Sequence, residues 1–137
     1  MDYAIFPFWD DLYVYGGTRQ GVYYEIVGTA PNRQVSIEWN TSPSGYPGYP
    51  DQYFHFTATF QETDPNFDDG AVSGAPVFSY HEISDAGVSA TVGQQSQSSG
   101  LFTQYSYNTA DITPGLELTY NRSTKAYEVT SSGDCVA

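Results

Sequence analysis

The chain is short of positive charge, of cysteine and of long apolar runs, and each shortage closes off a class of protein. Only 4 Lys+Arg stand against 16 Asp+Glu in 137 residues, a formal charge of −12. Such a surface repels a phosphate backbone and no basic stripe offsets it, which excludes nucleic acid as a partner. The same sign opposes docking on an anionic membrane. No apolar run exceeds four residues, as in Tyr3-Ala4-Ile5-Phe6, so membrane insertion is not expected either. The one cysteine, Cys135, forms no internal disulfide. It is either a partner for another chain or a missing segment, or a tail thiol without a role. Met1-Asp2-Tyr3 carries neither the basic start nor the apolar stretch of a signal peptide. The expectation is therefore a cytosolic protein, or a mature or excised piece.

Aliphatic residues are also few. Ile, Leu and Val total 19, against 23 aromatics (13 Tyr, 8 Phe, 2 Trp). A core built from this supply is mostly aromatic, and each buried Tyr needs a partner for its hydroxyl. The length suits one domain, expected over 1–130 with a C-terminal tail at 131–137. Abundant Ser, Thr, Gly and Pro favour the excised-piece reading, as do a single lysine (Lys125) and two sequons, at Asn40-Thr41-Ser42 and Asn121-Arg122-Ser123. Asn40 and Asn121 are glycosylation candidates only if the chain is secreted by a eukaryote.

What is present is period-two patterning, with no convincing helix. Val35-Ser36-Ile37-Glu38-Trp39 puts Val, Ile and Trp on one face, and Val22 to Val27 precedes it across the turn Ala30-Pro31-Asn32-Arg33, which predicts a hairpin. Ser42 to Pro50 reads as a loop barred from any ladder by its prolines. Strands are expected at Tyr53–Phe60, Phe78–Ile83, Val88–Gly93, Phe102–Tyr107, Leu116–Tyr120 and Ala126–Val129. Loops are expected at Thr63–Ala75 and Gln94–Gly100, and the last two strands pair through a turn at Asn121–Lys125. Eight or nine short strands punctuated by Gly and Pro predict an all-β antiparallel sandwich.

The order of blocks is distinctive. Ile5-Phe6-Pro7-Phe8-Trp9-Asp10-Asp11-Leu12 is followed by Gly21-Val22-Tyr23-Tyr24-Glu25. Then come Gly28-Thr29-Ala30-Pro31-Asn32-Arg33, Glu38-Trp39-Asn40, Ala90-Thr91-Val92-Gly93 and Tyr105-Ser106-Tyr107-Asn108. Over about residues 4 to 120 this series resembles a nidogen-like extracellular β-sandwich module of microbes, appended to secreted proteases and large surface proteins. The resemblance implies an extracellular location and a non-catalytic accessory or adhesive role, with no active site. It also implies strands ahead of the PFWDDL block, which here begins at residue 5. A sandwich without them exposes an apolar groove and open edges. The expectation is a strand supplied by a neighbouring subunit, by a removed segment or by one of the chain's own ends. Donation between subunits is head-to-tail, and such contacts polymerise unless they close into a ring.

Chemical candidates are sparse. Asp10 and Asp11 are adjacent, so on a strand they diverge, and a turn cap suits them better than a carboxylate pair. In Asp64-Pro65-Asn66-Phe67-Asp68-Asp69-Gly70, Asp64, Asn66 and Asp68 alternate as Ca²⁺ ligands do. The glycine comes one place late and no Glu closes the loop, so a solvated acidic loop is the simpler account. His55 and His81 lie on different strands without further ligands at metal spacing, and read as surface histidines. Lys125, in a turn, is poorly placed for an intramolecular crosslink. Tyr46-Pro47-Gly48-Tyr49-Pro50-Asp51 offers rings for sugar faces and a carboxylate for hydroxyls, making Tyr46, Tyr49 and Asp51 candidate glycan contacts. The same loop folded back over the sandwich edge is the alternative. Tyr13, Tyr15, Tyr105 and Tyr107, at i, i+2 spacing, fit a sheet face that is core or a subunit contact. The expected function is a structural or adhesive module that binds a protein partner or copies of itself, without catalysis or cofactor. A carbohydrate-binding module, with or without Ca²⁺, is the alternative, and a fragment of a hydrolase is the third.

Overall fold

The structure, a computed structural model, describes residues 3–45, 52–62 and 76–132. Among these residues there is no helix, and ten strands form two antiparallel sheets. The strands are β1 (Tyr3–Trp9), β2 (Leu12–Tyr13), β3 (Gly21–Val27), β4 (Gln34–Pro43) and β5 (Phe54–Gln61). They continue with β6 (Val77–Ile83), β7 (Thr91–Ser96), β8 (Leu101–Tyr107), β9 (Leu116–Asn121) and β10 (Ala126–Ser132). A small sheet runs β1-β7-β8. A large one runs β10-β9-β6-β5-β4, and there β2 and β3 pair in turn with the last edge of β4.

The aromatic supply does become the core. Phe54, Phe56 and Ala58 of β5, Phe78 and Tyr80 of β6, and Leu116 and Leu118 of β9 are buried against Phe8 of β1 and Val92 of β7. The Phe8 ring lies 4.9 Å from Phe54 and 5.4 Å from Phe56, and Trp39 stacks on Phe56 at 5.1 Å. The buried tyrosines are satisfied across the layers. Tyr80 Oη donates to the Pro7 carbonyl at 2.5 Å, and Tyr127 Oη to Gln94 Oε1 at 3.2 Å. Burial pushes both phenols above their ordinary range, so each stays a donor at any ordinary pH.

Three local expectations change. Ser42 and Pro43 are not loop but the end of β4, facing Tyr13 and Leu12. Proline is tolerated there because only a two-residue strand lies alongside, and buried Ser42 donates to the Gln52 carbonyl at 2.7 Å. Strand β7 starts at Thr91 rather than Val88, because Ala86 and Gly87 take left-handed turn conformations beneath Ile112. A Cβ on Gly87 would stand 2.9 Å from Ile112 Cγ1. The strand then runs on through Gln94–Ser96, where polar Gln94 is buried because Tyr127 satisfies it. The hairpin β3–β4 forms as expected, with the Asn32 N–H donating to the Thr29 carbonyl at 2.8 Å in its turn.

Candidate functional site

Register determines which side chains share a face. Opposite residues in an antiparallel pair lie on the same side. Phe56 faces Trp39, Ala58 faces Ile37 and Phe60 faces Val35 across β5–β4. Trp39, Ile37 and Val35 in turn face Val22, Tyr24 and Ile26 of β3. The apolar inward face of the large sheet therefore continues without a break from the core onto β4 and β3. The small sheet does not follow it. Its β1 sits over β5, and its other side meets Tyr127 of β10 through Gln94 of β7 and the ring of Tyr105 of β8. The cover thins over β4, where Val35, Ile37 and Trp39 are half-buried, and is absent among the described residues over β3, where Val22, Tyr24 and Ile26 are 57%, 76% and 57% exposed.

The margin of this uncovered strip is an open strand edge. β1 pairs with β7 on one side, and on the other no described strand meets it. Beside that edge a depression is lined by Ile5, Phe6, Pro7 and Trp9 of β1 together with Leu12 and Trp39. Farther along the strip a second one is lined by Ile26, Val35 and Phe60. It ends at an ion pair, where Arg33 Nη2 lies 2.5 Å from Glu62 Oε1 and Nε lies 2.8 Å from Oε2. These hydrogen bonds hold the Glu62 carboxyl at about 2, below its ordinary range. An extended segment with apolar residues at alternate positions would find here a strand edge without a described partner, interrupted at Pro7, whose carbonyl already accepts from Tyr80, and apolar surface at strand spacing.

The opposite, outward face of the large sheet is polar. His55 Nε2 lies 2.5 Å from Glu38 Oε1, and His81 Nε2 lies 2.6 Å from Thr57 Oγ1. The two imidazoles, kept apart in the sequence reading, are neighbours with ring centres 4.7 Å apart, because β5 and β6 pair and a bulge after His55 brings His81 across. Burial and then the nearby His55 lower the His81 pKa, with Glu38 opposing. Among the described residues no group of three His, Cys, Asp or Glu could hold a metal ion.

The residues singled out from sequence fall in three sets. Tyr46, Tyr49, Asp51, Asp64, Asn66, Asp68 and Cys135 lie outside the described residues. Asn40 sits on β4 between Gly21 and His55. Asn121 closes the β9–β10 turn, its Oδ1 accepting from the Ser123 and Thr124 N–H groups and its Nδ2 donating to Glu128. Asp10 acts as the turn cap expected of it, accepting from the Asp11 N–H and from Ser89 Oγ. The tyrosine stripe does not survive as one face. A bulge opposite Val92 and Gly93 turns Tyr105 inward and leaves Tyr107 outward. The exposed strip on β3 was missed in the sequence reading, although Val22, Tyr24 and Ile26 alternate as plainly as Val35, Ile37 and Trp39.

Among the described residues no helix is long and apolar enough to cross a membrane. Neither the curated proteins nor the solved structures yielded a match. The family model described as NIDO related, a nidogen-like type of domain that is typically extracellular, matches residues 2–134. With nearly its whole length matched, the chain belongs to the NIDO-related family.

Proposed function

We propose that the chain is an extracellular, non-catalytic module that works through protein–protein contact and needs no cofactor for it. Its contact site is the free edge of β1 together with the strip Val22, Tyr24, Ile26, Val35 and Phe60. The occupant is a β-strand from another copy of the chain, which adds to the small sheet beside β1 and covers β4 and β3. The observation that carries this reading is the half-covered inward face, where one continuous apolar surface is buried over β5–β6–β9 and bare over β3. Family membership supports the extracellular setting. The net charge of −12 opposes indiscriminate association of copies, so a contact that forms must come from local fit.

Light scattering and sizing across a concentration series test it. Wild type is expected to grow into oligomers, and Ile26→Lys, which puts a charge into the strip, to remain monomeric with an unchanged β-sheet spectrum. A wild type that stays monomeric at the highest concentration overturns self-association.

A further inference from the structure

The outward face of the small sheet carries a second feature, which adjoins the strip at Phe6 and Trp9. Register places Trp9, Thr91 and Tyr107 in one row across β1, β7 and β8. Phe6, Gly93 and Gln104 form the next row, and Ala4, Gln95 and Phe102 the third. Trp9, Tyr107 and Phe102 are 64%, 58% and 75% exposed, although each lies in a regular strand. Trp9 is not loose. Its ring stacks on Phe6 at 5.2 Å with 24° between the planes. Glycine in the middle row is required by the backbone, since a Cβ there would stand 2.4 Å from the Thr103 carbonyl oxygen. Gly93 itself is buried beneath its neighbours in the row.

We infer that this face, with Trp9, Phe6 and Tyr107 as stacking rings and Thr91, Gln95 and Gln104 as hydroxyl partners, binds a neutral polysaccharide.

Three observations select that ligand. The nine residues of the face include no charged one, in a chain that carries 16 acidic side chains, so the surface complements an uncharged partner rather than a basic or anionic one. Its rings are interleaved with amides and a hydroxyl instead of aliphatic residues. The side chains of Thr91, Gln95 and Gln104 make no hydrogen bond to any described residue, which leaves their donors and acceptors for a ligand. Sugar rings present apolar C–H faces bordered by hydroxyls, the chemistry such a mixed surface matches, while a dry protein interface asks for a more continuous apolar core. Two strand spacings separate Trp9 from Tyr107, about 10 Å, so the rings fit consecutive parts of an extended chain better than one small sugar. The Trp9–Phe6 stack and the strand backbones hold the rings in place beforehand, which lowers the entropic cost of binding. A strand added beside β1 would extend this sheet in its plane and leave Thr91 and Tyr107 open, while Phe6 and Trp9 also line the depression at that edge, so the two sites adjoin there.

The experiment is retention of the full chain on insoluble cellulose and insoluble chitin, with Trp9→Ala, Tyr107→Ala and Tyr23→Ala beside wild type. Wild type is expected to be retained on at least one. Each loss of a platform ring should weaken retention about tenfold, and Tyr23→Ala, an exposed ring on the outward face of the large sheet, should leave it unchanged. Melting curves identify any variant that fails to fold. A Trp39→Phe chain, in which Trp9 is the only indole, then gives a second readout through quenching or a spectral shift with soluble cello- and chito-oligosaccharides. No retention of wild type on either solid, retention unaffected by both ring deletions, or dimerisation through Trp9 without retention each overturns the inference.

Discussion

The two halves of the large sheet's inward face have the same pattern and opposite fates. Over β5, β6 and β9 the inward residues Phe54, Phe56, Ala58, Phe78, Tyr80, Leu116 and Leu118 are buried, held beneath Phe8 and Val92. Over β3 the residues Val22, Tyr24 and Ile26, in register with them through β4, stand in solvent. No difference in strand propensity separates the halves, and β-branched and aromatic residues fill both. The difference lies in the second layer, which among the described residues has three strands to cover a seven-stranded sheet. Alternation along a strand therefore reports which face is apolar and is silent on whether anything lies over it. A bare apolar strip of this kind, with the open edge of β1 beside it, is an interaction surface or an aggregation hazard.

The sharpest way to break the comparison is to truncate a ring in each half. Phe56→Ala removes a ring packed against Phe8, Trp39 and Tyr80, and chemical denaturation is expected to show a loss of about 3–5 kcal/mol. Tyr24→Ala in the monomer should move stability by only about 0.5 kcal/mol in either direction, since it empties no cavity. Equal losses at the two positions would mean that β3 is covered after all. The covering layer has its own sensitive point at Gly93. Gly93→Ala sets a methyl against the Thr103 carbonyl, and a cost of about 1–3 kcal/mol should appear in the same assay.

Acidity probes the two halves through different groups and gives the smallest effects. Behind the covered half, His81 has a lowered pKa, so the unfolded chain takes up its proton first. Stability from this group is complete above the ordinary value of 6.5 and falls as pH drops below it, and His81→Gln should flatten that part of a melting-temperature profile. At the end of the open strip, Glu62 is held at about 2 against an ordinary 4.5. Its contribution is present above 4.5 and fades between there and about 2, a decline that Glu62→Gln should remove. This pair is solvent-exposed, so its effect should shrink further in high salt.

Much of the fold was legible because strand residues in this chain declare themselves. The β3–β4 hairpin, the aromatic core and the Asn121–Lys125 turn follow from alternation, turn residues and the scarcity of aliphatics. Where the sequence reading erred, a distant contact had overridden a local rule. Pro43 joins a ladder because only the short β2 lies beside it, and Gln94 enters the interior because Tyr127 supplies its partner. The bulge in β8 sends Tyr105 and Tyr107 to opposite faces, which i, i+2 spacing alone does not show. The outward platform was equally invisible. Trp9, Thr91 and Tyr107 are far apart in the chain and meet only through the β1-β7-β8 pairing.

The sequence by itself determined the all-β class, the aromatic character of the core, the acidic surface and the relation to nidogen-like modules. The first three depend on composition or on the two-residue repeat, and the fourth on the order of blocks such as Pro7–Leu12 and Ala30–Arg33, all of them local properties of a chain. The tertiary structure alone decided that β1 ends the small sheet, that β3 lies uncovered, and that His55 meets His81. Those outcomes depend on strand order and register, which bring together residues dozens of positions apart.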